Sequence, residues 1–345
     1  MISAVLQTSF LGDMILTTPL IERLAREGEV HVLATPANAG VLANHPAVAS
    51  VIVYDKRAAD AGFGGLRRVA ALLRETGATT AYMAQGSWRT AALARMAGVQ
   101  SVGFHTSAGR WLYSRRVAYR TDWHHAQRLW ALANDPREAA PLHPELLRPS
   151  LYPGAFDEAQ VTALLNGAGV LAGERLIALA PGSVWATKRW PSYDALAGEL
   201  VPRLPDCRVV VIGAIGDAPC AAAIGEAVQR RGGRPVVDAT GKLSLLGSAA
   251  LLARCAVLAS NDSAPLHLAS AMNTPTVALF GPTVPAMGFG PLAERHVVVG
   301  RDELTCRPCS AHGKQACPLG HWKCMRDVEP GDVAEQVASI ARATQ

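Results

Sequence analysis

The sequence predicts an α/β protein made of two doubly wound parallel sheets. Its 345 residues exceed what one hydrophobic core usually serves, so two domains are expected. Short apolar β-prone runs alternate with helical segments in both halves, as in parallel βαβ units. Residues 136–153 are loop-like and rich in proline. We therefore predict an N-terminal domain over residues 1–150 and a C-terminal domain over residues 151–345.

The first half opens with a strand over residues 2–8 and a helix that follows Gly12. Asp13 thus stands where the first strand ends, at the edge of the sheet where α/β proteins bind ligands. A helix N-cap and a catalytic base are equally consistent with that position. Further strands are predicted at residues 30–34, 51–54, 79–84 and 99–104, and further helices at residues 66–75, 89–97 and 124–134.

The second half repeats this alternation. Strands are predicted at residues 176–180, 208–213, 236–237, 255–259 and 276–280, and helices at residues 193–204, 221–231, 244–253, 266–272 and 333–344. Two such halves joined by a loop are expected to form a cleft between the carboxyl edges of their sheets.

The turn over residues 261–267 carries groups that suit an anion. Pro265 fits the first turn of a helix, and Asp262 or Ser263 can cap it. Exposed N–H groups at the helix start would attract a phosphate, to which His267 could donate. The structural alternative is that Asp262 and Ser263 only cap and that His267 only packs.

The loop over residues 181–191 supplies a cation. Lys188 is suited to neutralising a diphosphate, and Ser183 and Thr187 add hydroxyl donors. A solvent-facing loop is the alternative. If this loop faces the turn at residues 262–267, the two form a diphosphate clamp that needs no metal ion.

The net charge of +5 is unevenly distributed. Residues 1–150 hold 16 Lys/Arg and 11 Asp/Glu, and the remaining residues hold 33 − 16 = 17 and 28 − 11 = 17. Five arginines are candidates for contact with an anionic acceptor or an acidic membrane face, a solvated surface being the alternative: Arg67, Arg68, Arg115, Arg116 and Arg120.

Several motifs are missing from the sequence. It has no Gly-x-Gly-x-x-Gly after a strand and no Walker motif, which disfavours a dinucleotide dehydrogenase and a P-loop NTPase. It has no Asp-x-Asp, the pair that holds a divalent ion in metal-dependent sugar transferases. No apolar run is long enough to span a bilayer, and no basic leader precedes the first strand, so we expect a cytoplasmic protein without a signal peptide.

Three segments together resemble one family. Leu11-Gly-Asp-Met-Ile-Leu-Thr-Thr-Pro19, Pro181-Gly-Ser-Val-Trp-Ala-Thr-Lys-Arg-Trp-Pro191 and Asn261-Asp-Ser-Ala-Pro-Leu-His267 are similar, in this order, to lipopolysaccharide heptosyltransferases of glycosyltransferase family 9. The resemblance is strongest to the heptosyltransferase II branch and covers nearly the whole chain. It implies a GT-B fold, in which two Rossmann-like domains face each other across a cleft. In such a fold the last helix of the chain could pack back on the first domain.

The resemblance also implies a reaction: metal-independent, inverting transfer of L-glycero-D-manno-heptose from ADP-heptose to the anionic lipid A-linked core. Asp13 matches the catalytic base. The donor-binding residues are expected to be Ser183, Thr187, Lys188, Asp262, Ser263, Ala264 and His267. Ala264 stands where many members have glycine, and its methyl group narrows the approach of the backbone to the phosphate. We expect no cofactor, no catalytic metal and no nucleic acid, and peripheral contact with the inner face of the cytoplasmic membrane.

Four cysteines cluster near the end of the chain at Cys306, Cys309, Cys317 and Cys324. A zinc site, disulfides and reduced thiols that pack a loop all remain open, although the spacing of the second pair departs from common zinc motifs.

Two other functions remain open as well. The same fold could use another nucleotide sugar or act as a sugar epimerase, and a binding module without catalysis could retain the donor site. Donor hydrolysis with and without acceptor separates the three.

Overall fold

The computed structural model describes residues 1–134 and 144–343. The chain divides into two compact units, Met1–Tyr152 and Pro153–Gln345. Much of the loop expected around residues 136–153 lies outside the described residues. Within the described ranges, no helix combines the length and the apolar character that crossing a bilayer requires.

The first unit contains a six-stranded parallel sheet and six α-helices in its described residues. The elements are β1 (Ile2–Gln7), α1 (Leu11–Ile15), α2 (Thr18–Ala25), β2 (Glu29–Ala34), α3 (Pro36–Ala39), β3 (Ser50–Val53), α4 (Gly62–Glu75), β4 (Thr80–Tyr82), α5 (Trp88–Ala97), β5 (Gln100–Phe104), β6 (Arg115–Val117) and α6 (His125–Trp130). The strand order is β3-β2-β1-β4-β5-β6, with Val5 of β1 level with Val32 on one side and Tyr82 on the other.

The second unit contains another six-stranded parallel sheet. Its elements are α7 (Ala155–Gly167), β7 (Arg175–Ala180), α8 (Tyr193–Arg203), β8 (Cys207–Val211), α9 (Ala218–Arg230), β9 (Val237–Asp238), α10 (Leu245–Ala253), β10 (Cys255–Asn261), α11 (Ala264–Ala271), β11 (Thr276–Phe280), β12 (His296–Gly300), α12 (Lys323–Arg326) and α13 (Pro330–Ala343). The strand order is β12-β11-β10-β7-β8-β9. The predicted fold class, two doubly wound α/β sheets, is confirmed.

Each sheet reverses its strand order once, between β1 and β4 in the first unit and between β10 and β7 in the second. Loops leave the carboxyl ends of the flanking strands in opposite directions there and open a crevice. The central strands are buried on both faces: β1, β2, β7, β10 and β11 are almost continuously inaccessible. Their apolar runs therefore supply the core of each unit.

Several elements differ from the sequence-based expectation. The single helix expected after Gly12 is two helices, because the chain breaks at Leu16 and Thr17 and restarts with Pro19 in the first turn of α2. Strands β6 and β12 and helix α7 were not predicted. Both strands lie at sheet edges, and α7 buries only three residues spaced four apart, so their apolar patterns are weak. The last helix, α13, packs on α8 and β10 of its own unit. The sequence alone leaves packing of this helix on the first domain open as an alternative.

One buried arginine joins three segments of the second unit. Arg208 of β8 is 5% exposed and donates to the carboxylate of Glu174 at 3.0 Å. It also donates to the carbonyl oxygens of Ala168 and Pro235 at 3.2 and 3.1 Å. Burial alone would raise the pKa of Glu174, but hydrogen bonds from the Leu171 backbone and from Arg208 outweigh it, and the pKa is lowered.

Candidate functional site

Two groups of predicted site residues lie at the strand-order reversals. Asp13 follows β1, which flanks the reversal in the first unit. Lys188 follows β7 and Asp262 follows β10, the two strands that flank the reversal in the second. In a doubly wound sheet these are the positions where ligands bind.

Asp13 is not the cap of its helix. Phe10 occupies the N-cap position of α1, and Asp13 is the third helical residue. Its Oδ2 accepts a hydrogen bond from the Ser9 hydroxyl at 2.5 Å, and its side chain is 18% exposed. His125 places Nε2 3.8 Å from Oδ1. The carboxylate is thus oriented by a neighbouring hydroxyl while remaining accessible, which suits a proton acceptor.

Sequence reasoning missed a cationic group at the end of the strand that precedes Asp13. Lys56 donates from Nζ to the carbonyl oxygen of Thr8 at 2.7 Å, so its ammonium is fixed at the end of β1. Burial, and then the guanidinium groups of Arg57 and Arg89, lower the pKa of Lys56. Cations that crowd one another in this way are stabilised by a bound anion. The signal in the sequence was a Lys-Arg pair directly after β3.

His124 and His125 of the first unit are two further candidates for a base. The His124 ring accepts from the backbone N–H of Ala126 at 3.2 Å and caps α6. His125, which lies near Asp13, is the first residue of that helix. The structure therefore brings His125 close to the Asp13 carboxylate.

Two of the five predicted acceptor arginines are held by the first unit itself. Arg115 donates to the carbonyl oxygens of Leu132 at 2.7 Å and Asn134 at 3.2 Å. Arg68 forms an ion pair with buried Asp60, its Nε donating at 2.8 Å. That pair lines a groove of about 690 Å³ beside edge strand β3, two strands away from β1.

The other three arginines are on the surface but not in one place. Arg67 is exposed on α4. Arg116 places its guanidinium 5.8 Å from the ring centre of Trp111. Arg120 pairs with Asp122 at 2.8 Å. Their contact with an acceptor stays a prediction.

In the second unit, Lys188 and Asp262 form a buried ion pair. Lys188 Nζ lies 2.6 Å from Asp262 Oδ2, and the two side chains are 11% and 7% exposed. The same oxygen accepts from the Thr283 hydroxyl at 2.6 Å. Thr283, at the end of β11, was not predicted. Because an ammonium has three donors, Lys188 retains N–H groups for an anion while Asp262 fixes its position.

Asn261 holds the loop over residues 181–191, the lysine loop, against β10. Its side-chain amide donates to the carbonyl oxygen of Pro181 at 2.8 Å and accepts from the backbone N–H of Trp190 at 3.2 Å. The Trp190 indole donates to the carbonyl oxygen of Val328 at 3.2 Å. Both ends of the loop are thereby pinned, and the predicted meeting of the loop with the turn after β10 is observed within this unit.

The two hydroxyl residues of the loop have partners of their own. The Thr187 hydroxyl donates to the carbonyl oxygen of Lys314 at 2.9 Å and accepts from its N–H at 2.8 Å. Ser183 accepts from the backbone N–H of Trp185 at 3.3 Å. Thr187 therefore joins the lysine loop to the segment that carries Cys306, Cys309, Cys317 and Cys324. Its contact with a sugar nucleotide stays a prediction.

The start of α11 presents an unsatisfied hydroxyl. Ser263 takes the N-cap position, yet among the described residues its buried Oγ has no hydrogen-bond partner, so the expected capping by Ser263 is wrong. Ala264 is the first helical residue, and His267, in the first turn, is 4% exposed. A buried hydroxyl without a partner is costly, which favours its use by a ligand.

The four C-terminal cysteines are free thiols. Burial raises the pKa of Cys324 to about 11. Burial would also raise the pKa of Cys317, but backbone hydrogen bonds, the largest from Trp322, outweigh it and lower that pKa. Within residues 1–134 and 144–343, no group of three or more His, Cys, Asp or Glu side chains is arranged to hold a metal ion.

Comparison with known proteins adds the family. A family model described as glycosyltransferase family 9 (heptosyltransferase) matches residues 66–322. Lipooligosaccharide heptosyltransferase 2 of Campylobacter jejuni is 35% identical over 26% of this chain, an alignment that spans only 27% of that relative. Lipopolysaccharide heptosyltransferase 1 of Pseudomonas aeruginosa is 32% identical over 88% of this chain and 84% of its own.

A solved structure is similar over nearly the full length of both chains. The ADP-heptose lipopolysaccharide heptosyltransferase II of Escherichia coli superposes with a TM-score of 0.79 at 25% identity, covering 99% of each chain. This similarity confirms the expected GT-B fold class.

Proposed function

The chain belongs to glycosyltransferase family 9, the heptosyltransferases, and we propose that it transfers L-glycero-D-manno-heptose from ADP-heptose to the inner core of lipopolysaccharide. One observation carries the proposal beyond family membership. Asp13, and the Lys188–Asp262 pair, each lie at the strand-order reversal of their own sheet, where catalytic and ligand-binding groups of doubly wound folds belong.

Asp13 acts as the general base. It removes the proton from an acceptor hydroxyl, whose oxygen attacks the anomeric carbon of the heptose while the bond to the diphosphate breaks on the opposite face. The product is an inverted glycoside, ADP leaves, and the proton resides on Asp13. The hydrogen bond from Ser9 supports this role, because it fixes one carboxylate oxygen and leaves the other for the acceptor.

The second unit stabilises the leaving group. As the bond breaks, negative charge grows on the diphosphate and needs donors that are already in place. Lys188 supplies a positioned ammonium, Ser263 supplies a hydroxyl without a protein partner in the described residues, and the α11 N-terminus supplies a favourable dipole. His267 adds a donor in the first turn. With no Asp-x-Asp in the sequence, we assign this task to the protein rather than to a metal ion.

The acceptor side is cationic. Lys56, Arg57 and Arg89 lie near the end of β1 and would hold an anionic group of the acceptor near Asp13. The core oligosaccharide is attached to a lipid, so we also propose peripheral contact of the protein with the inner face of the cytoplasmic membrane.

The test is a product measurement. The protein is incubated with ADP-heptose and core acceptors that lack heptose, and the products are weighed by mass spectrometry with ADP release followed in parallel. We expect the acceptor to gain one heptose and ADP to appear in equal amount. ADP release without modification of the acceptor would indicate that the protein only hydrolyses the donor. If ADP-heptose gives neither product and another sugar nucleotide is accepted, the protein uses a different donor.

A further inference from the structure

Two tryptophans of the first unit are largely exposed. Trp88 begins α5 and is 61% exposed, and Trp111 lies in the short 3₁₀ helix Arg110–Leu112 and is 75% exposed. Leu112 next to it is 41% exposed. The guanidinium groups of Arg110 and Arg116 lie 4.9 and 5.8 Å from the Trp111 ring centre. We call these five residues the tryptophan patch.

The two segments of the patch share one surface. The backbone N–H of Ala108 donates to the carbonyl oxygen of Gly86 at 3.0 Å. The backbones approach so closely at Gly109 that a Cβ there would lie 2.5 Å from Cβ of Ala91 and 2.9 Å from the carbonyl oxygen of Ser87. The exposed side chains therefore project from a backbone that is fixed by close packing.

The sequence segment that carries the patch has basic residues but no acidic ones. Between Glu75 and Asp122 the sequence contains six arginines and neither aspartate nor glutamate. Tryptophan is the side chain that membrane–water interfaces favour, and each basic residue close to an anionic leaflet adds attraction. Exposed tryptophan beside Arg110 and Arg116, in a segment without acidic residues, is thus complementary to anionic lipid headgroups.

One end of the patch, Trp88, lies at the edge of the sheet that carries Asp13, whereas Leu112 lies near the amino end of β5, where its carbonyl oxygen accepts from the Ser101 hydroxyl at 3.3 Å. Trp88 follows β4 and Asp13 follows β1, and these parallel strands are neighbours. Trp88 and Asp13 therefore lie at the carboxyl edge of one sheet, so a bilayer that contacts the Trp88 end of the patch lies beside the edge that carries Asp13.

We propose that the tryptophan patch docks this protein on a bilayer rich in anionic phospholipid. The inference rests on the proposed function in one respect, that the acceptor is lipid-linked. Its test is sedimentation with vesicles that contain phosphatidylglycerol or with vesicles of phosphatidylcholine alone, at low and high salt.

The patch variant is Arg110→Gln/Trp111→Ser/Leu112→Ser. The control variant removes the same numbers of charged and apolar side chains from exposed residues of the second unit, Phe156→Ser/Leu171→Ser/Arg230→Gln. We expect the wild type and the control to bind phosphatidylglycerol vesicles and to be released by salt, and the patch variant to bind roughly tenfold more weakly. Unchanged binding of the patch variant, or equal binding of the wild type to both vesicle types, would overturn the proposal.

Activity assays separate this inference from the proposed function. The patch variant should retain the wild-type kcat/KM on a water-soluble, deacylated acceptor and lose rate only on acceptor embedded in anionic vesicles. Equal loss on the soluble acceptor would mean that the segment Arg110–Leu112 serves the soluble part of the acceptor, which overturns membrane docking as its role. Vesicle binding is measured without donor or acceptor, so it decides the role of the patch even if the wild type transfers no heptose, a result that refutes only the proposed function.

Discussion

Replacing Lys188 should affect stability and catalysis separately. Asp262 is almost fully buried, and its Oδ2 is held by Lys188 and Thr283. Lys188→Met leaves a buried carboxylate with one hydroxyl partner, and breaking a buried pair from one side costs about 3–5 kcal/mol of unfolding free energy. If Lys188 also binds the diphosphate, kcat/KM for the donor falls by a further factor of roughly 10–100, the value of about 1.5–3 kcal/mol for one charge-assisted bond.

The double variant Lys188→Met/Asp262→Asn separates these effects. It removes both charges, and the amide oxygen can still accept from Thr283, so we expect the unfolding free energy to recover most of the loss. The kinetic defect should persist, because the charge that meets the diphosphate is still missing. Arg203→Met/Glu199→Gln, a surface ion pair of α8, is the matched control and should leave both quantities nearly unchanged.

The measurements are chemical denaturation and steady-state ADP release at saturating acceptor. A double variant that regains stability and also regains donor kcat/KM would show that Lys188 only balances Asp262, and the diphosphate clamp would be wrong. If the single variant loses no stability, the ion pair is not as buried as described.

Four further predictions concern the base, the metal and the protonation of individual groups. Asp13→Asn retains an acceptor for Ser9, so the melting temperature should stay within a few degrees while kcat falls at least about a hundredfold. The exposed control Glu75→Gln should stay active. If Asp13→Asn keeps most of its turnover, Asp13 is not the base and His125 becomes the candidate. Activity should persist in EDTA, and loss on chelation that magnesium alone restores would refute the metal-free clamp. At neutral pH, iodoacetamide should label Cys317, whose pKa is lowered, well before buried Cys255, whose pKa is raised by burial to about 12. Peptide mass mapping gives the order of labelling, and the reverse order would contradict the prediction. The pKa of Glu174 is lowered from 4.5 in the folded protein, so the stability that its carboxylate contributes is complete above that pH and is lost as the pH falls through the pKa of the folded state. The unfolding free energies of wild type and Glu174→Gln should therefore converge as the pH falls below about 4.5. A difference that stays constant with pH would contradict this contribution.

The sequence predicted the parts of the fold that rest on strong hydrophobic patterns. Strands such as β1 and β11 are continuous buried runs, and only a two-sided sheet interior demands such runs. Strand β6 contains two arginines in three residues and borders solvent, so its pattern does not differ from that of a loop. The break between α1 and α2 was missed because both helices present apolar residues at compatible spacing.

The residues of the site and the meeting of two of its segments were predicted, but the individual bonds were not. Asp13 and Lys188 could be chosen because each lies in the segment that follows a buried strand, and such segments begin at the carboxyl edge of the sheet. The Lys188–Asp262 bond joins residues 74 positions apart, and Lys56 reaches Thr8 across 48. Such pairings depend on strand order, which local patterns do not encode, and the same limit explains why Thr283 was missed.

The bonds between Thr187 and Lys314 also bear on how the protein is made. They connect positions 127 residues apart, and Trp190 reaches 138 residues ahead to Val328. On the ribosome, the lysine loop therefore emerges long before the segments that pin it, and the first unit can fold while the loop still lacks its partners. The contacts of the lysine loop are consequently completed late in synthesis, so a ribosome that stops before residue 314 releases a polypeptide whose first sheet can be complete but whose lysine loop lacks its bonds to Lys314 and Val328.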